Sequence, residues 1–86
     1  MNWQIEFKET ARKDLEKLNP VVRSRIGEKI KFFLAQPNPL RYAAKLTDNR
    51  SGQYRWRVGN YRILFDARNR KISVLAVDHR REVYRK

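Results

Sequence analysis

The chain predicts an α+β fold: a single small domain, residues 1–86, of order β-α-α-β-β-β, with a helical hairpin on one face of a mainly antiparallel sheet. Three observations predict it. Trp3, Ile5 and Phe7 alternate with Gln4, Glu6 and Lys8 near the N-terminus, the period-two signature of a half-buried strand. Two stretches between Glu9 and Leu34 place apolar residues at helical spacing. From Tyr54 onward, apolar alternation returns in runs separated by Gly59-Asn60 and Arg68-Asn69-Arg70, the punctuation of strands and tight turns.

Residues 2–8 read as the first strand. A helix starts at Glu9-Thr10 and carries Ala11, Leu15 and Leu18 on one side. Asn19-Pro20 ends it and opens the next, with Asn as N-cap and Pro at the first helical position. The second helix, about 20–35, turns Val22, Ile26, Ile30, Phe33 and Leu34 toward one side. Gln36-Pro37-Asn38-Pro39 stops it, because neither proline can continue a helix. Leu40 to Asp48 carries no clear period; Leu46 is its expected anchor, with Arg41 and Lys45 reaching outward. Asn49-Arg50-Ser51-Gly52 reads as a turn. Ile72 to Val77 is almost continuously apolar and is expected to be a central strand.

Tyr54 to Phe65 is the stretch with chemical content. If Gly59-Asn60 is a two-residue hairpin loop, Val58 pairs with Tyr61 and Arg57 with Arg62. Arg55, Arg57 and Arg62 then share one face, while Trp56 and Tyr61 go to the core; Tyr54 is left open. Like charges across a ladder are destabilising, so folding alone gives no reason for such a cluster. A polyanionic partner does; the alternative is a solvated, arginine-rich outer face.

Composition supports the first reading. The net charge is +12, from 21 basic and 9 acidic residues. It is uneven: residues 1–49 carry +4 and residues 50–86 carry +8. An anionic partner is expected to dock on the second half. There is no cysteine and one histidine, His79, which excludes a disulfide frame, a thiolate zinc site, a cysteine nucleophile and a histidine-rich metal site. No cofactor is expected. No stretch approaches the ~20 apolar residues of a membrane span, and the N-terminus lacks a signal-peptide apolar run. A small soluble cytoplasmic protein is the expectation.

The closing segment is Asp78-His79-Arg80-Arg81-Glu82-Val83-Tyr84-Arg85-Lys86. With this tail, the Asn19-Pro20 joint, the Lys45-Leu46 step and the run Tyr54 to Arg62, the chain resembles the RelE/ParE superfamily of toxin–antitoxin toxins, specifically its RelE-like branch. The resemblance covers nearly the whole chain and implies a RelE-like fold. It also implies a toxin of a type II toxin–antitoxin system, acting as a ribosome-dependent, metal-independent mRNA endonuclease (an mRNA interferase) that cuts in the ribosomal A site and inhibits translation. The partners it implies are the ribosome, mRNA and a cognate RelB-like antitoxin, acidic or partly disordered, in a toxin–antitoxin hetero-oligomer; no membrane is involved.

Carried over by position, the resemblance assigns the catalytic roles to Arg55, Arg57, Arg62, Arg80 and Tyr84, with Lys45, Arg81 and Arg85 contacting RNA or the ribosome. Guanidiniums suit a phosphate held for in-line attack, because their planar forks bind its oxygens and keep their charge. Family members with lysines at the strand pair have there a group able to lose a proton; Arg55 and Arg57 do not, and act as electrostatic clamps. The general base is then Tyr84, His79 or the ribosome. Tyr84 is suited to stacking on an unpaired base, or to proton transfer with its pKa lowered by arginines. His79, next to the arginine motif, is the other candidate for proton transfer; the competing role is a paired, structural histidine flanked by Asp78.

Three other functions compete: a ParE-like poison of DNA gyrase, a non-catalytic basic module that grips RNA or DNA, and a degenerate toxin that only titrates an antitoxin. The presence of Arg57, Arg62, Arg80 and Tyr84 argues against the ParE-like reading.

Overall fold

The computed structural model describes residues 2–47 and 52–79. Its elements are β1 (Gln4–Phe7), α1 (Glu9–Glu16), α2 (Pro20–Leu34), a 3-10 turn (Pro39–Tyr42), β2 (Ala44–Lys45), β3 (Tyr54–Val58), β4 (Tyr61–Arg68) and β5 (Lys71–His79). The strands form one sheet of order β1-β5-β4-β3-β2. Only β1 and β5 run parallel; the other described pairs are antiparallel. The expected α+β class holds, with β2 and the 3-10 turn added where the sequence carries no period.

Both helices lie on one sheet face. The core beneath them joins Ala11, Ile26, Ile30 and Phe33 to Trp56, Val58, Ile63, Phe65, Ile72, Val74 and Val77. Trp56 is at its centre, fully buried, with its ring 4.8 Å from Phe33 and 4.2 Å from Phe65. Its indole N–H donates to the Pro39 carbonyl at 3.2 Å, so the one polar atom of the ring is satisfied where water cannot reach it. Pro39 is itself buried, and Leu40 packs on the core. The 40–48 segment is therefore anchored at its start, not at Leu46, which is half-buried and pairs through its backbone with Gln53.

The helix joint forms as the dipeptide predicts. Asn19 Oδ1 accepts from the Val21 N–H at 2.8 Å with Pro20 next in line, satisfying a donor that has no partner inside the helix. The first α-helix stops at Glu16, two residues before Leu18, which still packs on the core. Gly59 takes φ +59 in the β3–β4 turn, where any L side chain is strained. Between β4 and β5, Asn69 and Arg70 both take positive φ, 52 and 63, the pattern of a two-residue turn that matches strand twist.

One irregularity positions the site. β4 and β5 pair Phe65 with Val74 but Leu64 with Ala76, leaving Leu75 as an extra residue, a β-bulge. Helix α1 grips it: the Thr10 hydroxyl donates to the Leu75 carbonyl, and Asp14 Oδ2 accepts from the Val77 N–H at 2.9 Å. These backbone groups lie beyond the Phe7–Val74 pair that ends the β1 ladder, so helix side chains replace a missing strand. Past the bulge the alternation is reversed.

Candidate nucleic-acid interface

The sheet face away from the helices carries the arginines. Arg57 stands directly opposite Arg62 across β3 and β4, and Arg55 opposite Leu64. The predicted register is the observed one. Trp56 and Val58 on β3 and Ile63 and Phe65 on β4 point the other way, into the core. Tyr54 belongs with them: its ring stacks on Phe65 at 5.6 Å. Tyr61 is half-buried against the core.

The three guanidiniums are not equivalent. Arg62 is clamped by Asp78 from the neighbouring strand, with Nε 3.1 Å from Oδ1 and Nη2 3.2 Å from Oδ2. Its side chain is 15% exposed and that of Asp78 34%. Arg57 is exposed and Arg55 half-buried, and among the described residues no carboxylate pairs with either. An anion arriving here meets two arginines that no described carboxylate pairs with, and a third already oriented.

Asp78 reaches this face only through the bulge. Strict alternation from the buried Ile72 and Val74 would send Asp78 to the core side and His79 to the arginines. With Leu75 extra, Val77 returns to the core, Asp78 pairs across from Arg62, and His79 pairs across from Tyr61. The His79 ring meets the Tyr61 ring edge-on at 4.7 Å, on the helix side of the sheet. Asp78, which flanks His79 in the chain, pairs with Arg62, and adjacent strand residues point to opposite faces. Lys45 pairs across from Tyr54, and Ala44 from Arg55, so Lys45 too stands on the Tyr54 side, at the sheet edge. Arg80, Arg81, Tyr84 and Arg85 lie outside the described residues, as does most of the Asn49-Arg50-Ser51-Gly52 turn.

Gly52 begins the described chain after that turn. It is buried at φ +117, and a Cβ there would come within 3.1 Å of Leu75 Cδ1 and 3.3 Å of the Phe65 carbonyl. At the far end of the same face, near the β4–β5 turn, Glu6 accepts from the Ser73 hydroxyl at 2.7 Å and pairs with Lys8 and Lys71 at 3.3 and 3.4 Å. The Ser73 hydrogen bond first, then those of the two ammoniums, lower its pKa from 4.5 to about 2. The face is thus divided: carboxylates neutralise cations at one end, while basic charge is in excess at the hairpin end.

A family model described as the ParE toxin of type II toxin–antitoxin systems matches residues 5–84. The chain belongs to the RelE/ParE superfamily of toxins. It is 34% identical over 88 residues to Toxin RelG of Mycobacterium tuberculosis, with all of both chains covered. A RelBE toxin–antitoxin complex from the same organism superposes with a TM-score of 0.76 at 30% identity, covering 93% of this chain and 100% of that one. The RelB–RelE antitoxin–toxin complex of Methanococcus jannaschii gives 0.69 at 29% identity, covering 91% and 93%. The intact Escherichia coli RelBE complex, at 22% identity and a TM-score of 0.70, covers 90% of this chain and 95% of that one and shares the fold. The protein is a RelE-like type II toxin, and the ParE-like alternative weighed from the sequence is not favoured by these relatives. Among the described residues no helix is long and apolar enough to cross a membrane.

Proposed function

We propose that this RelE-like toxin is a ribosome-dependent mRNA endonuclease. The observation that carries the reading is the hairpin face, where Arg55 and Arg57, without a carboxylate partner among the described residues, stand on the strand beside an oriented Arg62. Opposed arginines cost stability and are explained by an anion that binds between them. The reaction is attack of a ribose 2′-oxygen on the adjacent phosphorus. The 2′-O–P bond forms, the P–O5′ bond breaks, the 2′-hydroxyl proton passes to a base, and the leaving 5′-oxygen takes up a proton. Arg55, Arg57 and Arg62, joined by Arg80, hold the phosphate in line and neutralise the charge that builds on its oxygens. Such electrostatic stabilisation is often the largest catalytic contribution, and no metal is called for. Arginines keep their protons at working pH, so the base is another group. Tyr84 is our choice over His79, whose ring faces the helix side.

The remaining basic residues play a supporting part. Arg81 and Arg85 contact RNA or the ribosome, as does Lys45, which stands at the sheet edge. The relatives crystallised as toxin–antitoxin complexes support a RelB-like antitoxin as the neutralising partner, in a cytoplasmic hetero-oligomer, and a basic face favours an acidic segment of it.

Primer extension on a defined mRNA tests this, naked and in a translating extract, with wild type, Tyr84→Phe and Arg57→Ala. The expected result is cuts at in-frame positions only when ribosomes are present, weakened in both variants. Absence of cuts with wild type, translation continuing unimpeded, would overturn the endonuclease reading; a gyrase supercoiling assay would then come next.

A further inference from the structure

We infer that Asp78 is a positioning residue for the phosphate clamp, holding Arg62 by one edge of its guanidinium so that the other edge faces the scissile phosphate. The inference rests on the endonuclease reading. A carboxylate in a site for a polyanion is at first sight a fault, since it repels the substrate. The geometry gives it a use. Asp78 takes the Nε and Nη2 side of Arg62, at 3.1 and 3.2 Å. A guanidinium has five N–H donors in a planar array; this side-on grip uses two and leaves Nη1 and the second Nη2 hydrogen for an end-on fork. Arg62 can therefore bind a phosphate bidentately without releasing Asp78.

The two partners are rigidly supported. Both stand on adjacent strands in direct register, and Arg62 is the least exposed partner of any described ion pair. The bulge that brings Asp78 to this side is held by Thr10 and Asp14 of the first helix. Among the described residues no carboxylate holds Arg55 or Arg57 in this way. The clamp thus combines one pre-oriented arginine with two that adjust, and the pre-oriented one loses less freedom when the phosphate is bound.

The inference predicts the opposite of a charge argument. If Asp78 were only a negative charge near the site, its removal would tighten RNA binding and speed cleavage, most at low salt. As a positioning residue, its removal slows the chemical step and does so at all salt concentrations. The test is single-turnover cleavage of ribosome-bound mRNA by wild type, Asp78→Asn, Asp78→Glu, Arg62→Ala and the Asp78→Asn/Arg62→Ala double variant. Folding is checked by circular dichroism, and the shape-conserving Asn variant is chosen so that the fold survives. We expect Asp78→Asn to lower the maximal rate by on the order of 10²-fold, as for a small misplacement of a catalytic group, with the mRNA concentration for half-maximal rate little changed. Asp78→Glu recovers part of the rate, and Asp78→Asn has no further effect once Arg62 is alanine. Equal or faster cleavage by Asp78→Asn, or additive losses in the double variant, would overturn the positioning role. If wild type itself fails to cut, the endonuclease reading falls and this inference with it, a result the wild-type reaction alone distinguishes.

Discussion

Arg57 and Arg62 face each other across the β3–β4 ladder, in one of the places where a sheet least tolerates two like charges. Among the described residues only Arg62 has a carboxylate to offset it. The hairpin therefore carries a cross-strand repulsion that the described residues offset on one side only.

Removing Arg57 should separate stability from activity. Arg57→Ala is expected to raise unfolding free energy slightly, by up to about 0.5 kcal/mol, because it removes a repulsive cross-strand pair. The same change should lower ribosome-dependent cleavage by roughly 10²–10³-fold, the usual loss for one transition-state donor. Urea titration and single-turnover cleavage on one preparation check both signs.

Acid sensitivity should trace to Glu6. Its pKa is lowered from 4.5 to about 2 by the Ser73 hydroxyl and the Lys8 and Lys71 ammoniums. A lowered carboxyl pKa contributes stability that is complete above the unfolded value and lost as pH falls through the folded one. Wild type should therefore lose stability relative to Glu6→Gln between about pH 4.5 and pH 2. Thermal melts across that range read the difference, and parallel curves for the two proteins would contradict it.

Trp56 should be the most sensitive core position. It is fully buried between Phe33 and Phe65 and satisfies the Pro39 carbonyl. Trp56→Ala is expected to destabilise by about 3–5 kcal/mol, through the cavity and the orphaned carbonyl together. In a domain this small that approaches the whole stability, so the expected readout is a chain largely unfolded by near-ultraviolet circular dichroism.

The β4–β5 turn offers a gain. Arg70 holds φ 63 without the freedom of glycine. Arg70→Gly is expected to stabilise by up to about 1 kcal/mol, the left-handed strain exceeding the added flexibility of the unfolded chain. A higher urea midpoint with unchanged slope is the signature.

How much of this was legible beforehand differs by element. Period-two and helical spacing are local properties, so β1, both helices and the β3–β4 register could be read directly, down to Asn19 as a cap and Arg57 opposite Arg62. The 3-10 turn and β2 could not. Pro39 and Ala44 carry no period, and their structure follows from what they meet: the Trp56 indole for the first, the β3 edge for the second.

The sequence by itself determined the fold class, the helix joint and the gathering of Arg55, Arg57 and Arg62 on one face, because each depends on neighbours a few residues away. Only the tertiary structure decided which side of the sheet Asp78 and His79 take. Nothing in the run Ile72 to His79 marks Leu75 as the extra residue. The bulge exists because the β1 ladder ends at Val74, and Thr10 and Asp14 of the first helix, more than sixty positions away in the chain, then take up the backbone groups beyond it. A single residue inserted into a ladder reverses every later side chain. That reversal sends Asp78 to Arg62 and turns His79 away.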